Sequence, residues 1–135
     1  MFPGSEHARK RLTDDEVGWF TTVDADGRPS TAPVWFLLEP DDTIVMFSRD
    51  PSVRVDNVRA NDRVTLALNS DPGGSDIVVV NGSAAVDEDC PSVPDHDRYL
   101  AKYRQSLDSA SWTPEWFAQR YPTAIRITIS SVNGR

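Results

Sequence analysis

A mainly β fold of the α+β class is predicted, in which six antiparallel strands close into a barrel or sandwich carrying a few short helices. Three observations lead there. Six segments rich in β-branched and aromatic residues are separated by turn residues at short spacings. One helix-like segment follows the third of them, and two more precede the sixth. No strand leads into the Gly-x-Gly-x-x-Gly or Walker pattern that opens a helix in doubly wound parallel sheets. At 135 residues, 39% of them hydrophobic, the chain makes one domain. A chain of this size hides roughly two-thirds of its unfolded surface on folding, so neither a disulfide nor a structural metal is needed. Residues 1–12 read as an N-terminal tail and residues 13–135 as the single domain.

The elements follow in order. Thr13-Asp14-Asp15-Glu16 has the spacing of a capping box and predicts the start of a short first helix. Trp19–Val23 is a strand, Asp24-Ala25-Asp26-Gly27 supplies turn chemistry, and Pro29–Leu38 is the second strand of a hairpin. Thr43–Phe47 is the third strand, after the punctuation of Glu39-Pro40-Asp41-Asp42. Asp50 and Pro51 fit an N-cap and first helical position, with a helix running to about Ala60. Arg63–Asn69 and Asp76–Val86 are strands flanking the Pro- and Gly-bearing loop 70–75, and Gly82 marks a bulge or bend in the second. After an acidic, proline-punctuated loop come a helix over about Asp95–Leu107 and another opened by Thr113-Pro114-Glu115 and running to Tyr121. Ile125–Ser130 alternates apolar with polar and makes the last strand.

Composition removes several classes of function. Fourteen Lys and Arg against 21 Asp and Glu give a net charge of −7, which argues against a broad electrostatic grip on nucleic acid or anionic lipid. The longest apolar runs fall far short of the roughly 20 residues that cross a bilayer, and the N-terminus lacks a signal-peptide pattern. A lone cysteine, Cys90, forms no internal bridge. A cytoplasmic protein with no membrane and no nucleic-acid partner is expected. Catalytic sets are missing too: there is no Gly-x-Ser-x-Gly elbow, and His7 and His96 read as ordinary surface residues. No metal site is expected, and the catalytic residues are left unassigned.

Two regions stand out. Arg49, Arg54, Arg59 and Arg63 make residues 49–63 locally positive in an acidic chain. On a helix Arg54, Asn57 and Asn61 share one face, with Ser48 and Arg49 ending the preceding strand, and such a grouping suits a phosphate. The same residues also fit a solvated helix with surface Arg–Asp pairs, and Asp50 as a capping carboxylate would compete for the helix amides. The second region is Pro33-Val34-Trp35-Phe36, where a proline inside an apolar strand belongs at an edge or where a ligand approaches. Either a flat ring lies there or Trp35 and Phe36 pack one on each side of an edge strand. Trp112, Trp116, Phe117 and Tyr121 form a later aromatic cluster.

In order and spacing these pieces resemble the pyridoxamine 5'-phosphate oxidase-like split-barrel superfamily, and within it the small actinobacterial branch that uses the deazaflavin coenzyme F420. The resemblance runs through Phe20-Thr21-Thr22-Val23, Asp26-Gly27-Arg28-Pro29, Pro33-Val34-Trp35-Phe36, Ser48 with Arg54 and Asn57, and Asn61-Asp62-Arg63-Val64. It continues through Val80–Ala84, Tyr99-Leu100-Ala101-Lys102-Tyr103 and Tyr121–Arg126. It implies a six-stranded antiparallel split β-barrel of FMN-binding type, paired as a homodimer with cofactor sites at the interface. It further implies that Ser48, Arg49, Arg54 and Asn57 take the cofactor phosphate while Pro33, Val34 and Trp35 line the ring. The implied activity is hydride transfer from reduced F420 to a conjugated small-molecule substrate, walled by the partner subunit's helices around Trp112–Tyr121. An FMN-binding oxidase or flavin reductase, and a non-catalytic cofactor carrier, are the alternatives on the same fold. Arg54 stands where the family usually has Lys, and Asp62 where it usually has Pro, so F420 and FMN both stay open.

Overall fold

The computed structural model describes residues 1–134. Its elements are α1 (Glu6–Asp14), β1 (Val17–Val23), β2 (Pro29–Trp35), β3 (Leu37–Leu38), β4 (Thr43–Ser48), α2 (Val53–Ala60), β5 (Arg63–Leu68), β6 (Val78–Val86), α3 (Asp97–Ser109), α4 (Pro114–Arg120) and β7 (Thr123–Gly134). All strand pairings are antiparallel, and they make one sheet in the order β2-β1-β5-β6-β7-β4-β3. Strands β2 and β3 stand at opposite edges of that sheet, yet only Phe36 separates them in the chain. Two residues of extended chain reach about 7 Å, so the sheet must curl until its edges nearly meet at this point. The result is the split barrel that the sequence predicts. There are seven strands rather than six because the segment expected as one strand over Pro29–Leu38 breaks at Phe36, whose backbone leaves one edge and joins the other.

Burial along the strands explains the curl. Phe20, Ile44, Met46, Leu66, Val80, Ile125 and Ile127 are all essentially inaccessible and fill the barrel with Phe36. A second apolar cluster lies outside the barrel wall, where Val45 and Phe47 meet Val93, Tyr99, Tyr103, Leu107 and Phe117. Strand β4 therefore has residues 44–48 all buried, with alternate side chains feeding the two cores. Within β6 the register shifts between Asn81 and Gly82, which is the irregularity expected at that glycine. A Cβ at Gly82 would lie 2.2 Å from the carbonyl oxygen of Thr128, so the close approach of β7 requires glycine there.

The N-terminal region departs from expectation. Residues 1–12 are not a tail, because α1 begins at Glu6, is capped by the Ser5 hydroxyl accepting from the Ala8 amide, and buries Ala8 and Leu12 with Phe2. Thr13 lies in the last turn and donates back to the Arg9 carbonyl, so its capping-box spacing marks an end, not a start. The helix after β4 likewise starts later than Asp50-Pro51 predicts. Ser52 is its cap and accepts from the Val55 amide, while the Asp50 carboxylate turns to Thr123 and Arg59. The helix opened by Thr113 and Pro114 starts where the sequence places it. Among the described residues, no helix is long and apolar enough to cross a membrane.

Candidate functional site

Strands β2 and β4 and helices α3 and α4 enclose a cleft of about 350 Å³, within the size range of small-molecule sites. Pro33, Val34 and Trp35 from β2 form one wall, Phe47 comes from β4, and Tyr99, Trp112, Phe117 and Tyr121 come from the helical side. Pro33 is accommodated because β2 is an edge strand paired only with β1. This chain's own Trp112, Phe117 and Tyr121 line the cleft opposite Trp35. Sequence order hid this, since roughly eighty residues separate Trp35 from Trp112 and only the return of α3 and α4 over β4 brings them together.

The Trp35 ring is held firmly. It stacks on Tyr103 with centroids 4.7 Å apart and planes at 9°, and on Phe117 at 5.5 Å and 6°, with Trp112 tilted beside it at 6.1 Å. Its faces are therefore occupied by the protein itself, and it shapes the wall as part of a rigid aromatic stack. Trp116 does not line the cleft; it stacks on Trp112 at 4.9 Å and lies under the Arg120 guanidinium.

Among the described residues Arg54, from the first turn of α2, is the one charged residue lining this largely apolar cleft. Its guanidinium makes one long contact, 3.5 Å to the Ser48 hydroxyl, and no carboxylate lies within ion-pair distance among the described residues. Burial lowers its pKa, which is the mark of a cation drawn partly out of water. Arg49 also has no carboxylate partner among the described residues, and its guanidinium lies over the Tyr121 ring at 5.5 Å. Two unpaired guanidinium groups thus flank Tyr121 in a chain whose net charge is −7. The Asp50 carboxylate is engaged with Thr123 and Arg59, so it does not neutralise them.

The other expected phosphate residues sit deeper. Ser48 is fully buried, donates to the Arg49 carbonyl at 3.0 Å and shares a 3.3 Å contact with Ser52, so it bears on the cleft by positioning Arg54. Asn57 is 5% exposed and donates to the Thr22 hydroxyl, tying α2 to β1. Asn61 caps the end of α2 and accepts from the Arg63 amide. The three polar residues read as one helix face are therefore divided between cleft, core and cap.

Sequence reasoning missed Val17, Phe47 and Tyr99 in the lining. Tyr99 is 1% exposed, and its hydroxyl is the one buried side-chain polar atom without a hydrogen-bond partner among the described residues. The expected surface residue His96 is also buried. Its Nδ1 accepts from the Tyr99 amide and caps α3, while Nε2 lies 3.4 Å from Glu39, which in turn accepts from Arg126. The Glu39 contact has no local signature, because Glu39, just after β3, and Arg126, on β7, are far from His96 in sequence.

A family model described as Pyridoxamine 5'-phosphate oxidase matches residues 5–134. No curated protein matches the chain. Solved structures share the fold. A structure described as an F420 reductase superposes with a TM-score of 0.71 at 17% identity, covering 98% of this chain and 100% of the other. A FAD-binding protein from Mesorhizobium loti gives 0.69 at 24% identity, covering 96% and 91%. HupZ from Group A Streptococcus gives 0.68 at 15% identity, covering 97% and 94%.

Proposed function

The chain belongs to the pyridoxamine 5'-phosphate oxidase family, and from that premise we propose that it is a flavin-type oxidoreductase using the deazaflavin coenzyme F420 to reduce a conjugated small molecule. The observation that carries this reading is Arg54, a partly buried guanidinium with no carboxylate partner among the described residues, lining an aromatic cleft. Such a cation suits an anionic group on a flat, apolar ligand. Arg54 and Arg49 would hold the coenzyme's phosphate-bearing tail, with Ser48 positioning Arg54. Pro33, Val34 and Trp35 would line its ring.

The coenzyme supplies hydride chemistry when bound, and it asks of the protein mainly position and shielding. The rigid Trp35 stack and the apolar walls of Phe47, Trp112 and Phe117 orient a ring and keep water from it. Two copies of the chain paired with the cleft near their interface belong to the same reading; exposure of Val53 (64%) beside Arg54 and of Trp19 (42%) supports it. The likeness to a structure described as an F420 reductase supports the choice of deazaflavin, and the likeness to a FAD-binding protein is what favours FMN as the second reading.

Titration of the purified protein with F420 and with FMN at matched salt tests the proposal. Saturable F420 binding is expected, and Arg54→Ala should weaken it by about 1.5–3 kcal/mol, the range for a hydrogen bond to a charged group. Saturable FMN binding without F420 binding moves the assignment to an FMN-dependent oxidase or flavin reductase. Unchanged affinity in Arg54→Ala refutes the anion grip. Tight binding without turnover on quinones, enones and tetrapyrroles makes the protein a coenzyme carrier.

A further inference from the structure

Tyr121 ends α4 between two guanidinium groups. Its amide donates to the Phe117 carbonyl at 2.8 Å and its ring leans on Phe117 at 4.7 Å and 32°, so α4 fixes both its backbone and its ring. The Arg49 guanidinium lies over that ring at 5.5 Å. Burial lowers the Arg54 pKa and Tyr121 opposes the shift, which brings the phenol oxygen within electrostatic reach of the second guanidinium. Tyr121 is half-exposed and lines the cleft together with Arg54. The Tyr103 hydroxyl is used up at Phe36 and Glu16 and that of Tyr99 is sealed in the core, but the Tyr121 hydroxyl is accessible and makes no hydrogen bond among the described residues. A guanidinium only donates, and a phenol can accept, yet neither arginine bonds to it; Arg54 makes its one long contact to Ser48. Three donors from three places in the chain, the end of β4, α2 and the end of α4, thus meet with no acceptor among them.

We propose that the Tyr121 hydroxyl donates a hydrogen bond to the same anionic group that Arg49 and Arg54 take up, which makes the end of α4 part of the ligand's phosphate site. This rests on the coenzyme reading above and extends it to a specificity-determining residue. The two guanidinium groups supply charge, which attracts any anion; the phenol supplies one directed bond from a ring that α4 holds still, and so fixes where the anion sits. Phosphate suits the trio better than carboxylate, because its oxygens point in several directions whereas those of a carboxylate lie in one plane. In the free protein water serves the half-exposed hydroxyl, so the fold does not depend on it.

The test is Tyr121→Phe, which keeps the ring and removes only the hydroxyl. Wild type and variant are titrated with F420 and with the deazaflavin that carries only the ribityl chain, and in parallel with FMN and riboflavin, so that each coenzyme is paired with its phosphate-free form. The variant is expected to bind the phosphate-bearing coenzyme roughly tenfold or more weakly, the scale of a hydrogen bond to a charged group, while the phosphate-free form binds both proteins equally. The thermal midpoint of the coenzyme-free variant is expected to match wild type. Unchanged affinity for the phosphate-bearing coenzyme overturns the inference. So does an equal loss for both members of a pair, because the hydroxyl would then act on the ring or on the shape of the wall. Wild type that binds neither F420 nor FMN refutes the coenzyme reading itself, and this inference with it; a failure confined to Tyr121→Phe leaves that reading standing.

Discussion

Removing the Tyr103 hydroxyl by Tyr103→Phe isolates the contact that closes the barrel seam. Phe36 bridges two strands at opposite sheet edges and has no ladder partner, so its amide is served by Tyr103 at 2.7 Å. The single phenol proton is shared between the Phe36 carbonyl at 2.7 Å and the Glu16 carbonyl at 2.6 Å. In the variant the Phe36 carbonyl keeps Lys102 Nζ at 2.9 Å, and the exposed Glu16 end turns to water, but the Phe36 amide is left buried and unpaired. An orphaned buried donor costs about 1–3 kcal/mol, and with the lost bond a destabilisation of about 2–3 kcal/mol is expected. The ring itself remains, so stacking on Trp35 is preserved and the cavity term is small. Urea denaturation followed by tryptophan fluorescence measures the change, with an unchanged denaturant slope expected. A loss below about 0.5 kcal/mol would refute the claim that this hydroxyl satisfies the seam.

Two further outcomes follow from α3. His96→Ala removes the helix cap and the Glu39 contact and should cost about 1–2 kcal/mol, whereas His96→Asn keeps a capping acceptor and should cost less than half as much; equal losses in a denaturation series would show that the cap is not the cause. Lys102 has its pKa lowered to about 8 by burial, beneath the ordinary 10.5. Between those values the unfolded chain binds the proton that the folded chain has released, so stability contributed by this group rises with pH from about 8 to 10.5, by at most roughly 3 kcal/mol. Wild type should therefore gain on Lys102→Met over that window in stability measured against pH, and parallel curves would count against the depressed value.

Local signals were legible where one stretch of chain contains both cause and effect. Thr113 and Pro114 cap and open α4 within their own turn, Gly82 lies at the bulge, and Asp24 accepts from the Asp26 and Arg28 amides in the turn it predicts. The positive stretch around Arg54 was visible for the same reason. What stayed hidden depends on packing between distant segments. Ser48 and Asn57 looked like ligand donors because a sequence does not show that β4 is buried on both faces or that Thr22 waits opposite α2. The Trp35 stack and the burial of His96 depend on α3 and α4 folding back over β4. Helix α1 escaped notice because its buried face consists of only Ala8 and Leu12 in a run of charged residues.

Tyr99 and Tyr103 are successive rungs of one helix, the first lining the cleft and the second latched to the join between the two sheet edges. Chamber width and barrel closure are accordingly a single mechanical adjustment: the roof does not lift without unfastening the join. Variation that accommodates a bulkier guest would have to come from the other side of the chamber, through the short connector at Ala110–Thr113 and the tilt of α4, where Trp112 and Phe117 hang from a segment free of that latch.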